Sequence, residues 1–386
     1  MMNSLRDELN YLFSGQGMPY EKVSIMIAVI ITLLFSAIYS NNIIEDAHVA
    51  VIDLDNSKYS HEIISQIEAS PFMEVTAVLN SPAEPNTLFY QDKNIAVVYL
   101  PKDLEKNRYT DHHGTIGAFY DNTNSAQTSG VKEALNEIIS IGNAKADPNS
   151  SGGITLSTRT LFNPSGSTSN STTLGFLFFF SSIFFGLATI GIVPRLRMTG
   201  RLRSILQNGT PFDLAIRLVP YGLCLLTALF IGLAILRTRG DMLFEGHVIT
   251  FLLIQLFCIA ALGIMSLLVG WSAANPGIAS GRMILFVPGG FILGGIAGPI
   301  PILPEWARIL SHIFPLTWEF HFTRDILLRG AGFADISFIF GLFLLYLAAL
   351  CGILYFVFYR ERSKLMAIEA ATSYLPENEK PLKEAV

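Results

Sequence analysis

The sequence predicts an α-helical polytopic membrane protein with six transmembrane helices and a small α/β extracytoplasmic domain inserted between spans one and two. Three observations lead there. Of 386 residues, 51% are apolar but only 15% are charged, where about 25% is usual for soluble domains. The apolar residues gather into long runs, which accounts for a mean hydropathy of +0.45 despite a polar stretch in the N-terminal half. Charge is also lopsided: residues 41–172 hold 8 basic and 16 acidic groups, against 18 and 15 elsewhere, so that −8 and +3 make up the net −5. An acidic region of this kind is a poor partner for nucleic-acid phosphates.

A helix needs roughly 20 mostly apolar residues to cross the hydrocarbon. The first run that qualifies is Val23 to Tyr39, short but free of charge. A cleaved signal peptide is disfavoured there: Arg6 and Lys22 are offset by Asp7, Glu8 and Glu21, and Ser36 to Ser40 makes a poor cleavage site. The second span is Leu174 to Val193, the third Phe212 to Leu236 and the fourth Val248 to Trp271. The fifth, Met283 to Ile300, is weakened by Pro288 and by the glycines from Gly289 to Gly298. The sixth is Phe333 to Phe358. Arg217, one or two turns inside the third span, is expected to snorkel to the inner interface.

Lys and Arg accumulate on the cytoplasmic side. With the N-terminus inside, the inner segments carry 12 basic residues and the short outer loops carry 5: Arg237, Arg239, Arg308, Arg324 and Arg329. The expected organisation is a cytoplasmic segment 1–22, a first helix 23–40, an external domain 41–172, a five-helix domain 173–358 and a cytoplasmic tail 359–386. Both termini then lie in the cytoplasm, and the expected location is a plasma membrane, a bacterial inner membrane.

Within the external domain, strand-like and helix-like patterns alternate. Val49 to Leu54, Met73 to Leu79, Asn94 to Leu100 and Thr115 to Tyr120 read as strands. Ser57 to Ala69, Pro85 to Gln91 and Ser125 to Ile141 read as helices, and such alternation favours an α/β domain. Asp147 to Gly153 and Ser165 to Thr173 read as connections back to the membrane. Asp53 with Asp55, His112 with His113, and Asp121 to Ser125 invite a catalytic or metal-binding reading. Capping is the stronger one, because carboxylates at a strand end hold the next helix, and Asp-Asn-Thr-Asn is turn chemistry. Neither catalytic residues nor a metal site is expected.

Cys224, Cys258 and Cys351 all fall in apolar runs, which leaves no disulfide framework or thiolate zinc cluster. No Gly-Lys dipeptide occurs, so the loop that cradles nucleotide phosphates is missing. Cofactors are therefore not expected on this chain.

One span, a large outside domain and five more spans with an arginine-rich first inner loop together resemble the permease subunit of ABC-2 type exporters. Three stretches carry the resemblance, which covers nearly the whole chain: Asp46 to Ser57 leading into Ile67 to Phe72; Arg195 to Pro211; and Phe314-Pro315-Leu316-Thr317-Trp318 with Phe322 to Gly330. The resemblance implies a partner ATPase that binds ATP and magnesium, a second permease, identical or related, and a periplasmic adaptor as a further partner, in contact with membrane lipid. Family members commonly carry a glutamate after the Gly-x-Leu step of the inner loop; here Gly200-Arg201-Leu202 is followed by Arg203. The main competing reading is a membrane-anchored receptor or scaffold that presents the external domain. It leaves five closely spaced spans unexplained.

Two candidate sites follow. In the inner loop 194–211, Arg195, Arg197, Arg201 and Arg203 lie within nine residues, with Leu202 and Leu206 on one helical face. The expectation is a short amphipathic helix that seats in the ATPase, with the two leucines as anchors and Arg203 facing a carboxylate of the partner. In the outer segment 301–330, Trp306, Pro315, Trp318, Glu319, His321, Arg324 and Asp325 mix interfacial aromatics with groups too polar for lipid. That segment is expected to dip back into the outer leaflet as an exit gate. Few charges lie within the spans, so the expected cargo is apolar or amphipathic.

Overall fold

A computed structural model of the chain describes residues 46–107, 114–123, 128–146, 153–162, 168–239, 242–295 and 303–373. The predicted first span, the segment before it, His112, His113, Ser125 and the tail beyond Ser373 lie outside the described residues.

The α/β domain begins with β1 (Ala47–Asp53), a run of small and β-branched residues suited to a doubly covered strand. It is followed by α1 (Lys58–Glu68), β2 (Met73–Leu79), a tight helical segment Pro85–Asp92, β3 (Ala96–Leu100), α2 (Leu104–Asn107), β4 (Thr115–Asp121), α3 (Ser129–Ala146) and β5 (Thr155–Leu161). The strands form one sheet in the order β2-β1-β3-β4-β5. Only the β3–β4 pair is antiparallel; the other three are parallel.

The pleat divides β1 between two cores. Val49 and Val51 join Tyr59, Ile63 and Ile67 of α1 and Leu135 and Ile139 of α3. Ala50 and Ile52, one residue out of phase, join Val97, Phe89 and Phe162 in a cluster that continues into the membrane helices. An edge-to-face contact between Phe89 and Phe162, 5.7 Å between centroids, closes that side. The second face of the sheet is therefore covered by the helical domain rather than by water.

Asp53 and Asp55 act as caps. Asp53 accepts from the backbone of Asn56 at 2.9 Å and from the Ser60 hydroxyl at 2.8 Å. Asp55 accepts from the backbone N–H groups of Leu104 and Glu105, which open α2. Strand β5 was not expected: Thr-Leu-Ser-Thr-Arg-Thr-Leu is largely exposed at the sheet edge and lacks the apolar alternation of a half-buried strand.

Five helical stretches among the described residues are long and apolar enough to cross a membrane: Thr173–Met198, Phe212–Arg239, Val248–Gly270, Pro276–Leu293 and Phe333–Ala370. They contain α4 (Thr168–Ile190), α5 (Ile192–Met198), α7 (Phe212–Ala215), α8 (Val219–Arg239), α9 (Val248–Gly270), α10 (Pro276–Arg282) and α11 (Val287–Leu293). Between the first two stretches lies α6 (Arg201–Asn208); α12 (Glu305–Ser311) and α13 (Pro315–Phe322) precede the long α14 (Phe333–Ser373). The fifth predicted span starts seven residues earlier than expected, at Pro276, and breaks at Phe286, where φ is −127° just before Pro288. Helix α14 runs well past Phe358, where the expected span ends, because Arg-Glu-Arg-Ser-Lys-Leu-Met-Ala-Ile-Glu-Ala-Ala is rich in strong helix formers.

Candidate functional site

Three of the polar residues flagged in the sequence between Trp306 and Asp325, namely His321, Arg324 and Asp325, meet the α/β domain in a buried ionic network. Its upper half is a turn. The segment Pro85–Asp92 ends with Gln91 at φ 64° and Asp92 at φ 54°, two successive left-handed residues that reverse the chain and point it at the helices. Asn94 closes the turn by donating to the Leu88 carbonyl at 2.7 Å. Its lower half is the run from α13 through a π-helical turn, Thr323–Leu328, which ends with the Arg329 N–H on the Arg324 carbonyl at 2.9 Å. Such wide turns are common at functional sites, and this one brings two arginines five residues apart onto the same carboxylate.

That carboxylate is Asp92. Arg324 donates to it at 2.8 Å, Arg329 donates to its other oxygen, and His321 Nδ1 lies 2.7 Å away. Arg329 also donates to Asp325 at 2.6 Å and to Asp121, while Arg324 donates to the Gly294 carbonyl at 3.1 Å. The Gln91 backbone N–H donates to both oxygens of Asp325, at 3.1 and 3.2 Å. Asp121 holds its own turn as well, accepting from the Thr123 N–H at 2.9 Å.

Arg329, Asp121 and Asp325 are at most 2% exposed. Three carboxylates face two guanidiniums, leaving one negative charge in excess beside the His321 ring. Burial pushes the Asp92 carboxyl up, but Arg324 and Arg329, with the hydrogen bond from His321, hold it well below the usual carboxylate range. Buried ion pairs add little net stability compared with apolar packing, yet removing one partner costs about 3–5 kcal/mol because the other charges are stranded. The network thus fixes where the α/β domain sits on the helices.

The remaining expected gate residues are placed as follows. Trp318 is buried and donates to the His312 carbonyl at 2.8 Å; Pro315 opens α13. Glu319 is buried too, but turns away from the network to accept from Gln255 of α9. Trp306 is about half exposed and takes no part in the network. Sequence reading did not bring Gln91, Asp92, Asp121 and Arg329 to this site. The available signal was the arginine pair Arg324 and Arg329 in a loop expected to lie outside, in a chain whose other large domain has excess acid.

At the opposite end of α4, about 35 Å along a 23-residue helix, lies the arginine loop. Gly200, at φ +69°, makes the turn between α5 and α6 that a residue with a Cβ would resist. Arg197 donates to the carbonyls of Trp271 and Ala273, at 2.7 and 2.8 Å, where it caps the end of α9. Leu202 and Leu206 are 5% and 7% exposed and are packed inside this chain, where α6 meets the extension of α14. Arg203 does face a carboxylate, but one of its own chain: Glu369 of α14 accepts from Nε at 2.9 Å, and Gln207 joins at 2.6 Å. Arg195, Met198, Thr199, Arg201, Ser204 and Asn208 are among the other exposed side chains of this surface.

A family model described as an ABC-2 family transporter protein matches residues 23–360. Two curated relatives, both named probable multidrug ABC transporter permease YbhR, come from Escherichia coli strain K12 and Escherichia coli O157:H7. Each is 25% identical over 349 residues, covering 85% of this chain and 89% of the relative. No solved structure matches the chain.

Proposed function

The chain belongs to the ABC-2 family of transporter proteins, and from that premise we propose that it is the permease subunit of an ATP-driven exporter. It moves an apolar or amphipathic compound out of the cytoplasm or the inner leaflet. Supporting that cargo class are the sparse charges of the spans and the multidrug name of the relatives. A separate ATPase supplies the energy, and a second permease, identical or related, completes the path; a periplasmic adaptor extends it. The α/β domain then lies outside a bacterial inner membrane, with both termini in the cytoplasm.

The observation that carries the direction is the network on Asp92. It ties the external domain to the segment after α11 and to Gly294 at the end of the fifth stretch, so one set of charges closes the outer end of the path. In the outward-open state Arg324 and Arg329 leave Asp92, Arg329 leaves Asp121 and the Gln91 N–H leaves Asp325, so that the external domain lifts as a rigid body. At the inner end, the exposed arginines of the loop meet the ATPase, and the α6–Glu369 contact passes its movement to α14.

The test is transport in inside-out membrane vesicles holding this chain and its partner ATPase. ATP-driven accumulation of an amphipathic dye inside the vesicles is the expected result. Co-purification of the ATPase without any nucleotide-dependent movement of such dyes, in either direction, would remove the exporter reading.

A further inference from the structure

At the mouth of the second apolar stretch, a cleft of about 540 Å³ opens between α6 and the start of α7, lined by Ser204, Asn208, Gly209, Asp213, Ile216 and Arg217. Its charged groups, Asp213 and Arg217, are a pair of opposite charges one helical turn apart. Arg217 has its Nε shut off from solvent with no hydrogen-bond partner. Asp213 is exposed; one of its oxygens accepts from the Thr210 N–H and hydroxyl, at 2.7 and 3.1 Å, and among the described residues no hydrogen bond engages the other. Asp213 is the nearby opposite charge, but no acceptor among the described residues hydrogen-bonds the guanidinium, and a donor shut off from water at the edge of an apolar span is costly until one does.

The cleft also continues an apolar stripe. Phe212, Ile216, Val219 and Leu223 are all exposed, and their spacing by three or four residues puts them on one face of the helix. In a helix that enters the hydrocarbon at Phe212, that face meets acyl chains, and its lower end runs directly into the charged cleft.

We propose that this cleft binds the headgroup of one aminophospholipid, with the phosphate on Arg217, the ammonium on the free oxygen of Asp213 and the chains along the stripe. Each component answers a feature of the site: an acceptor for the guanidinium that no described residue hydrogen-bonds, a cation for the carboxylate one turn from it, and apolar tails for the adjoining face. A free phosphate would satisfy only the first of these. A lipid held here would wedge between the loop helix α6 and the span that follows it.

Native mass spectrometry of the purified full chain, titrated with phosphatidylethanolamine, phosphatidylglycerol or inorganic phosphate, tests this. The expected result is one retained phosphatidylethanolamine, preferred over phosphatidylglycerol by about tenfold, with no retained inorganic phosphate. Arg217→Gln should lower retention of both lipids by about tenfold, and Arg217→Lys should recover part of it. Asp213→Asn should abolish the preference while keeping phosphatidylglycerol bound. That ratio is read within a single sample, so it does not depend on how much of a variant folds. Retention of phosphatidylethanolamine unchanged in both Arg217→Gln and Asp213→Asn would overturn the proposal. So would inorganic phosphate bound as well as lipid, which would assign the cleft to a free anion.

Discussion

Both ends of the helical domain gather arginines, and they use them in opposite ways. At the end that carries the α/β domain, Arg324 and Arg329 have side chains 6% and 1% exposed and share Asp92, with Asp121 and Asp325 completing Arg329. At the far end, Arg203 and Glu369 are 50% and 32% exposed, and water competes for both. The same residue type is a fixed part at one end and an adjustable surface at the other. What separates them is desolvation: a buried charge cannot lose its partners without being stranded, whereas an exposed one is rehydrated at once. A transporter gate needs the first kind of contact, which is all-or-none; a docking surface for a partner that comes and goes needs the second.

The comparison breaks most completely if the two ends are not on opposite sides of a membrane. A reporter fused near Asn80 should behave as exported and one fused after Lys364 as cytoplasmic. A cytoplasmic signal from both would end the account of two separated arginine sites.

Next in size is Arg329→Ala. It leaves Asp121 and Asp325 buried with no cation of their own, at a cost of about 3–5 kcal/mol. Hydrogen exchange in Pro85–Asp92 should rise sharply and transport should be lost. Lysine should restore only part, since one ammonium cannot fork between three carboxylates. Wild-type protection in Arg329→Ala would show that apolar packing through Phe89 and Phe162 alone seats the domain.

Asp92→Asn should have a smaller effect, because the Arg329–Asp121 and Arg329–Asp325 bonds remain. It should also change the response to acid. The Asp92 carboxyl is held below its ordinary value near about 3.9, so its contribution is fully present above that pH and is lost as pH falls through the lower folded value. Protection of Pro85–Asp92 should therefore stay level from neutral pH down to about 4 and fall only below it, and Asp92→Asn should remove that acid step.

Smallest is the far-end pair. Arg203→Glu or Glu369→Arg alone should change stability by about 0–1 kcal/mol but reduce ATPase co-purification or coupling, and the double exchange should restore it. Full transport in both single variants would leave the loop as an anchor near anionic lipid and nothing more.

Much of this architecture is legible in the sequence because it is written in local periodicity. The strands β1 to β4 and the helix α1 show their pattern within a few residues, and the apolar stretches from α4 onward announce themselves by length. Strand β5 was invisible because an exposed edge strand of threonines and serine carries no core-facing pattern. The ends of α10 and α14 moved for a different reason: hydropathy marks where lipid begins, while helix propensity decides where a helix stops.

The site was half legible. His321, Arg324 and Asp325 stand out because polar groups beside apolar spans need a reason. Asp92 and Asp121 do not, since a carboxylate in an acidic domain is unremarked until the fold brings it to an arginine more than 200 residues away. Two successive left-handed residues at Gln91 and Asp92 make that approach, and neither is a glycine that would have advertised the turn. Leu202 and Leu206 show the converse. Their spacing predicts an anchor for a partner, yet an apolar stripe says only that something covers it, and here the chain's own α14 does.

The central claim is that the charges on Asp92 part during every transport cycle, and a cross-link across the latch tests it most directly. Gln91 donates to the Asp335 carbonyl at the rim of the network, so cysteines at these two positions, with the three native cysteines replaced by alanine, can be bridged by a short thiol-specific linker. In vesicles with the ATPase, the account predicts full ATP-driven dye transport before linking, none after it, and recovery when a cleavable linker is cut. Transport that continues at its original rate with the bridge complete would contradict it.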